Sequence, residues 1–590
     1  MQKNKRYRNL KSSMTSTGRL WLWILGFVIL GNNAFAQKTI TGKVTDANDK
    51  SEMIGVTVSV KGTTIGTQTD LSGNYSIKLP EGPATLVFSF IGKLSQEVVV
   101  GNQTTINVAL VDDSKQLEEV VVVAYGTRKK ADLTGSVIAI NSKDFQKGNI
   151  QSGEQLLQGK VAGLQVTNGG GQAGGGSTIR IRGAASLNAS NDPLIVIDGI
   201  PVEGNSISGS ANLLNTINPN DIESMSVLKD ASATALYGSR ASNGVIIITT
   251  KKGSSGKPTF NFNTAVSAGQ IYKKVDMLTG DQVREIITAQ AAQSGDNTYK
   301  NLLGKENTNW QDESFRTAIG TDNNLSAGGT YKKVPFRVSL GYSNQNGILK
   351  KNNFARTSGA ISLSPKFLDN SLAVNVNLKL ANTQNNFSNE DAIGSALRFD
   401  PTQPVYANNA YGGYWEWLDA TGKYKQLSGN NPVGLIELRD NTSSVNRMIG
   451  NIELDYKLPF LPDLHLKTNL GLDNTKGKGT DIYSALSSTN YLTNGRLTDY
   501  NQSKSNKLWD VSLYYEKDLT AIKSKIDVLA LHSYQDFLTN VYNYPSYSED
   551  GKTVIPGTQP IFATDKPQYR LESYLGRVNY SYMGKYLATA

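Results

Sequence analysis

Cysteine is missing from all 590 residues, and histidine occurs only as His465 and His532. Without thiols there can be no disulfide, thiolate nucleophile or thiolate metal ligand. Two histidines with no carboxylates at ligand spacing do not make a zinc centre, and both read as ordinary wall positions of a β-structure. Proline is scarce (17) beside 56 glycines and 27 tyrosines, a balance that suits strands, tight turns and aromatic belts. A hydrophobic content of 38% and a mean hydropathy of −0.34 exclude a helical membrane bundle. They do not exclude a membrane β-barrel, whose strands alternate lipid-facing and lumen-facing residues and so dilute their apolar content.

The net charge of +10 is misleading at first sight. Lys3, Lys5, Arg6, Arg8, Lys11 and Arg19 all fall in the first 36 residues, which hold no acid, and without those six the charge is +4. No clustered basic face with interleaved aromatics remains, so nucleic acid is not an expected partner. The length exceeds one ordinary core and calls for several domains.

Residues 1–36 carry that basic region, an apolar run from Leu20 to Leu30 and Ala34-Phe35-Ala36 before Gln37. The run is too short to span a bilayer and ends in an A-x-A pattern, which predicts a secretory signal peptide cleaved after Ala36. From residue 37 to 112, short alternating segments succeed one another: Ile40–Thr45, Val56–Val60, Gly66–Thr69, Tyr75–Leu79, Ala84–Phe90, Glu97–Val100 and Thr104–Val108. Turn residues such as Asp70-Leu71-Ser72-Gly73-Asn74 separate them, and the pattern predicts a small antiparallel β-sandwich. After the polar stretch Asp112–Leu117, a segment at 117–126 contains Glu119, Val120, Val121, Val122, Val123 and Ala124. An extended β-branched run beside a polar linker either adds to the sheet edge of a partner or forms the first strand of the next domain.

Residues 127–253 read as one α+β unit. The pattern predicts a helix at Gly153–Leu157, strands at Leu164–Thr167 and Thr178–Arg182, a helix-like run at Asp221–Leu228, a small-residue turn at Asp230–Asn243 and a strand at Val245–Thr250. The glycine loop Gly169–Gly176 lacks a closing Gly-Lys-Ser/Thr and is succeeded by a strand, so it reads as a mobile loop and not a phosphate cradle. Arg180, Arg182, Lys229, Asp230 and Arg240 are expected to form polar contacts with surrounding wall residues.

The segments LQGKVAGLQV, IRIRG, DPLIVIDGIPV and INPNDIESMSVLKDASATALYGSRASNGVIIITTKKG occur in order and at close spacing. Together they resemble the plug signature of the SusC/RagA family of TonB-dependent outer-membrane transporters. GKVTDAND and GVTVSVKGTTIGTQTDLSGNYSIKLPEG resemble the carboxypeptidase-D regulatory-like module found at the N-terminus of such proteins, a non-catalytic sandwich. The resemblance implies that Glu119–Ala124 is the TonB box. It also implies TonB, a SusD-like surface lipoprotein, outer-membrane lipids and an oligosaccharide or peptide substrate as partners, with no cofactor and no enzymatic activity. The expected location is the outer membrane, with the N-terminal domain in the periplasm.

Beyond Gly253 the pattern becomes strictly alternating. Phe260, Phe262, Thr264 and Val266 alternate with Asn261, Asn263, Ala265 and Ser267; Phe336, Val338, Leu340 and Tyr342 alternate with Arg337, Ser339, Gly341 and Ser343. Similar runs recur near Val374, Leu464 and Tyr574. Residues 258–590 are therefore expected to supply the N-terminal portion of a transmembrane barrel, with about ten strands where a plugged barrel needs about 22. That shortfall points to a truncated chain. The fold class is thus mostly β: a sandwich, an α+β plug and part of a barrel. Long polar inserts at Gly280–Ser294 and Asn386–Leu438 are expected outside the cell. In the second, Trp415 and Trp417 are placed to meet a ligand, to meet a partner protein or to pack within the loop. A secreted adhesive β-protein would share the leader and sandwich but not the plug signature.

Overall fold

The computed structural model describes residues 38–590 apart from 48, 81, 91–92, 112–119, 124–125, 130–136, 149, 185, 189, 204–205, 231–233 and 426. The expected signal peptide, Glu119 and Ala124 lie outside the described residues. The chain divides into two compact units, residues 1–119 and 120–590.

The first unit holds seven short strands: β1 (Thr39–Asp46), β2 (Thr57–Val60), β3 (Gly66–Gln68), β4 (Asn74–Lys78), β5 (Ala84–Ser89), β6 (Gln96–Val100) and β7 (Val108–Leu110). They form two sheets, ordered β4-β1-β7 and β3-β2-β5-β6. Alternate residues such as Ile40, Val44, Val58, Tyr75, Ile77, Leu86 and Phe88 fill one core between them. At the β3–β4 connection the Asp70 carboxylate accepts from the backbone N–H of Ser72 and Asn74, each at 2.9 Å. An Asx turn of this kind reverses the chain without help from a side-chain core. The last strand sits later than the expected Thr104–Val108: Thr105 makes an isolated bridge to Thr41 of β1, and Lys43 N–H then donates to the Asn107 side chain, which interrupts the ladder before Val108.

The second unit opens with a two-stranded hairpin, β8 (Val120–Val123) against β9 (Gly126–Lys129). Next comes a five-stranded sheet, ordered β10-β15-β16-β13-β14. Its members are β10 (Val137–Asn141), β13 (Leu194–Ile197), β14 (Ile200–Val202), β15 (Ile222–Leu228) and β16 (Val245–Thr250). A separate ribbon pairs β11 (Leu164–Asn168) with β12 (Ser177–Ile181). The apolar face of this unit collects Leu157, Ile179, Ile197, Ile222, Met225, Val227, Ile246 and Ile248 into one core.

Two segments expected to be helical are built differently. Asp221–Leu228 is not helical: Pro219–Asp221 makes a single 3-10 turn capped by Asn218, and Ile222–Leu228 is a strand. The capping signal is real, since the Asn218 side chain accepts from the Asn220 N–H. A place in the middle of the sheet overrides helical continuation, because this segment pairs with β10 on one side and β16 on the other. Its hydrophobics Met225, Val227 and Leu228 are buried there at 1% exposure or less. Local propensity is a weak prior against a central sheet position. Gly153–Leu157 is likewise a 3-10 turn and not an α-helix.

The remaining strands form one 13-stranded antiparallel sheet. They are β17 (Thr259–Gly269), β18 (Ala318–Tyr331), β19 (Val334–Asn346), β20 (Asn353–Leu363), β21 (Lys366–Phe367), β22 (Leu372–Phe387), β23 (Arg439–Leu458), β24 (Leu461–Tyr483), β25 (Arg496–Leu519), β26 (Ser524–Tyr542), β27 (Thr564–Asp565), β28 (Gln568–Tyr582) and β29 (Tyr586–Thr589). Each long strand pairs with the next, so the sheet is an up-and-down wall. One parity of residues faces the plug and is polar: Arg337, Ser339, Ser343 and Gln345 on β19 are the pattern. The other parity faces away, with Leu340 60%, Leu470 49% and Leu513 48% exposed. Tyr342 and Trp509 border this exposed apolar band on one side, and Tyr456, Tyr515 and Tyr580 border it on the other, the arrangement of aromatic girdles in a membrane wall. Among the described residues no helix is long and apolar enough to cross a membrane, which says nothing about crossing by strands.

Connections at one edge of the wall are short turns, as at Lys332-Lys333 and between β23 and β24. The other edge carries residues 270–317, 388–438, 484–495 and 543–563. Four helices lie in these long connections: α1 (Gly280–Ser294), α2 (Trp310–Ser314), α3 (Asp391–Ala396) and α4 (Pro432–Glu437). α1 begins with a capping box, in which Thr279 and Gln282 satisfy each other's backbone N–H, and ends at Gly295.

Candidate functional site: the plug against the wall

The plug presents turns, carbonyls and carboxylates, and successive wall strands answer with cations. On β19, Arg337 donates to Asp221 at 2.8 Å. On β20, Arg356 is 2% exposed and one of its amino groups reaches the carbonyls of Gln151, Asn215 and Ile217 at 3.2, 3.1 and 3.3 Å. On β22, Lys379 pairs with Asp198. On β23, Arg447 reaches the Leu213 carbonyl at 3.2 Å and the Thr216 hydroxyl at 3.0 Å. On β25, Lys504 lies 3.1 Å from Glu203.

The alternation of the strand places each of these cations on the lumen face. The plug supplies its acids from turns. Asp198 and Gly199 form the two-residue loop between β13 and β14, with φ of 46° and 85°, the Asp-Gly loop that a tight hairpin favours. The turn aims the Asp198 carboxylate at Lys379, and its oxygens also accept from the N–H and hydroxyl of Thr250 at 2.9 and 2.6 Å. Asp221 ends the 3-10 turn before β15 and so faces Arg337.

Neutral groups complete the seam. Asn218 donates to Asn324 at 2.6 Å, Asn506 to the Pro201 carbonyl at 2.8 Å, and Ser208 donates its N–H to Gln502 at 2.8 Å. The wall also supplies Ile449 and Leu508 to the plug core, so the seal is part apolar.

The glycine loop is fastened to the wall and not mobile. The Gly171 carbonyl accepts from Ile348 N–H at 3.1 Å, and Ala173 N–H donates to Asn352 at 2.6 Å. A Cβ at Gly171 would stand 2.3 Å from Ile348, and one at Gly174, where φ is +67°, 2.6 Å from Phe354. The glycines are needed for the closeness of the two surfaces.

The residues expected to bind the wall from the plug side are placed otherwise, with one exception. Arg180 pairs with Asp192 of the same unit. Arg182 pairs with Asp230 at 2.6 Å and donates to the Lys229 carbonyl, and the Lys229 ammonium reaches the Ala162 carbonyl at 2.9 Å. These contacts hold the β11–β12 ribbon to the turn after β15 inside the plug. Arg240 of the set reaches the wall, donating to Gln535 at 2.8 Å and lying over the Phe537 ring. The difference lies in what each group meets: Arg180, Arg182, Lys229 and Asp230 find partners within the plug, whereas Asp198, Glu203 and Asp221 sit on turns that meet wall cations. The signal for these three was available in the sequence, as carboxylates inside IDGIPVEG and NPNDIES.

Trp415 and Trp417 stack edge-to-face at 4.7 Å and pack with Trp310, Phe399 and Val433 in a small core of the long connections. Both are half-buried. Beneath them Glu416 is 6% exposed, accepting from the Ser488 hydroxyl at 2.8 Å and from Asn431 N–H at 3.3 Å. Burial without a cation pushes its carboxyl up to about 7. Val120–Val123 is held in the β8–β9 hairpin, each residue paired in turn with Lys129, Arg128, Thr127 and Gly126. His465 hydrogen-bonds Asp455 at 2.6 Å and His532 lies 3.0 Å from Glu572. Among the described residues no group of three or more His, Asp or Glu side chains could hold a metal ion.

The family model described as TonB-dependent Receptor Plug Domain matches residues 129–245, and the CarboxypepD_reg-like domain matches residues 40–122. The TonB-dependent receptor SusC of Bacteroides thetaiotaomicron is 42% identical across 97% of this chain and 58% of its own length. A TonB-dependent receptor of Formosa agariphila is 34% identical across 94% of this chain and 54% of its own length. The solved RagAB peptide transporter superposes with a TM-score of 0.64 at 22% identity, covering 76% of this chain and 53% of that one. The chain therefore spans just over half the length of the relatives it matches.

Proposed function

Because the chain belongs to the SusC/RagA family of TonB-dependent receptors, we propose that it takes part in energised import of nutrient oligomers across the outer membrane. The cargo is glycan or peptide, and a SusD-like surface lipoprotein shares its capture. The sandwich, the segment at 117–126 and the plug at 127–253 are assigned to the periplasmic side and the lumen, and residues 258–590 to the wall. Glu119–Ala124 is the TonB contact: its strand-forming backbone suits addition to a partner's sheet edge.

The observation that carries this reading is the chemistry of the plug–wall seam. Wall cations and amides grip plug carbonyls and turn carboxylates, and water can take over each such contact when the plug shifts. A permanent seal would be made instead from apolar packing alone. Cargo seated at the long-connection side would then loosen part of the seam, and tension on the segment near Val120 would open it.

Deleting Glu119–Ala124 from the full-length receptor tests the proposal. Energised uptake is expected to be lost while the barrel stays in the outer membrane with heat-modifiable gel mobility. Retained uptake would remove the TonB-contact assignment. A soluble, heat-insensitive product would remove the transporter reading.

A further inference from the structure

The face of the wall opposite the plug has a second sidedness, along the strands. Moving toward the long-connection edge, outward residues change from apolar to amide and cationic on neighbouring strands in register. On β22 Leu380 gives way to Asn382, on β23 Met448 to Asn446, and on β24 Leu472 to Asn474 and Lys476. Asn382 donates to Asn446 at 2.8 Å, so the amides form a cross-strand ladder on this face. A groove of about 700 Å³ runs across the boundary. Leu340, Leu380 and Met448 line its apolar end, and Asn446, Asn474 and Lys476 its polar end. Gly359, opposite Leu380 on this face and without a side chain, keeps its floor low.

Lys476, Lys478 and Lys507 are all exposed on this face. None of the three has an ion-pair partner among the described residues. They stand out because the cations on the lumen face at the same height, Arg447 and Lys504, are paired. Lys507 stands directly opposite Asp536 of β26, whereas the direct partners of Lys476 and Lys478 on β25 are the uncharged Ser503 and Asn501. The two ammonium groups without a facing carboxylate, Lys476 and Lys478, beside a strip of exposed leucine match one kind of occupant: an anionic headgroup whose chains run down the apolar band.

We propose that this groove binds a phosphorylated membrane lipid, with its acyl chains against Leu340, Leu380 and Met448 and its phosphate held by Lys476 and Lys478. The amide ladder donates to the headgroup's remaining oxygens. The inference rests on the orientation proposed above, in which the long-connection edge faces outward from the cell.

The test uses full-length receptor extracted from outer membranes in mild detergent. Bound lipid is measured by native mass spectrometry during titration with monophosphoryl lipid A or its enzymatically dephosphorylated counterpart, with millimolar inorganic phosphate as competitor. The phosphorylated lipid should bind at least about tenfold more tightly than the dephosphorylated one, as loss of a charge-assisted contact implies. The K476Q/K478Q variant should lose that preference, and inorganic phosphate should not displace the lipid. Equal binding of the two lipids, an unchanged preference in the variant, or displacement by phosphate alone would overturn the inference. Heat-modifiable mobility of each variant separates loss of binding from loss of fold, and K476Q alone provides a milder change. A receptor that imports cargo yet cannot distinguish the lipids defeats this inference only. One that distinguishes them and does not import defeats the proposed function only.

Discussion

Arg447 on β23 holds Asp473 on β24 through two parallel hydrogen bonds of 2.9 and 2.8 Å, and its remaining amino group crosses the seam to Leu213 and Thr216 of the plug. The two side chains are diagonal neighbours on the lumen face, where Thr475 is the direct partner of Arg447. Asp473 thus fixes the guanidinium plane on the wall and leaves one edge of the fork free for the plug. A planar fork pre-organised this way loses little rotamer freedom when the plug docks.

Arg447→Ala is expected to be costly. It would leave Asp473 buried without its cation and cut both ties to the plug, although the Leu213 carbonyl keeps the Thr216 hydroxyl as a donor, a loss of about 3–5 kcal/mol for a broken buried pair. The barrel should still form, because the strand ladder is intact. Limited proteolysis of outer-membrane vesicles should then cut the plug near residues 203–217 faster than in the parent, and unchanged cleavage would show that the contact does not hold the plug.

Lys379 and Arg182 offer a sharper contrast. Lys379→Met strands the buried Asp198 carboxylate and should raise passive ion leak through the receptor in planar bilayers. Pairing it with Asp198→Asn should recover much of the closed state, since the two sites share one interaction. Arg182→Ala removes a pair that is 54% and 30% exposed and should change leak little, because exposed pairs contribute about 0–1 kcal/mol. Equal leak from both single variants would contradict the assignment of the grip to the wall.

That contrast also marks how much could be read from the sequence. Alternation in β19, β22 and β24 disclosed the wall and its two faces, because a half-wet sheet must repeat every two residues. It also placed Arg337 on the polar face. The sign of the seam was harder to see: cations in IRIRG were conspicuous, while Asp198 and Asp221 looked like turn residues. They are turn residues, and the turns are the parts that touch the wall. Ile222–Leu228 shows the complementary limit, since its spacing fits a helix and only the gap between β10 and β16 makes it a strand. Trp415 and Trp417 were conspicuous for their size, and the structure spends much of that surface on the packing of the long connections.

The hairpin of β8 and β9 makes a testable competition. If Val120–Val123 is the TonB contact, Gly126–Lys129 occupies the same backbone edge that the partner strand needs. Thr127→Pro, which removes a backbone N–H from the competing strand, should leave affinity for the TonB C-terminal domain equal or higher. Val122→Pro should weaken it by about tenfold, the equivalent of one lost hydrogen bond. Isothermal titration with the purified receptor distinguishes the two, and the opposite ranking would place the contact elsewhere.

Glu416 gives a pH dependence with a definite sign. Its carboxyl sits above the ordinary value, at about 7, because burial disfavours the charged form and the Ser488 and Asn431 donors only partly offset that. A group raised in the folded state stabilises it fully below its unfolded value of 4.5, and that contribution is lost as pH climbs from there to about 7. The junction it supports joins the 388–438 connection to residue 488, where Tyr411 and Tyr424 also pack against Tyr491. Hydrogen exchange in residues 405–431 and 484–495 should therefore quicken between pH 5 and 8 beyond the intrinsic chemical rate. Glu416→Gln keeps an acceptor for Ser488 without a charge, so its protection should stay flat over the same range. If the parent and the variant show the same pH profile, ionisation of Glu416 does not govern how these two connections hold together.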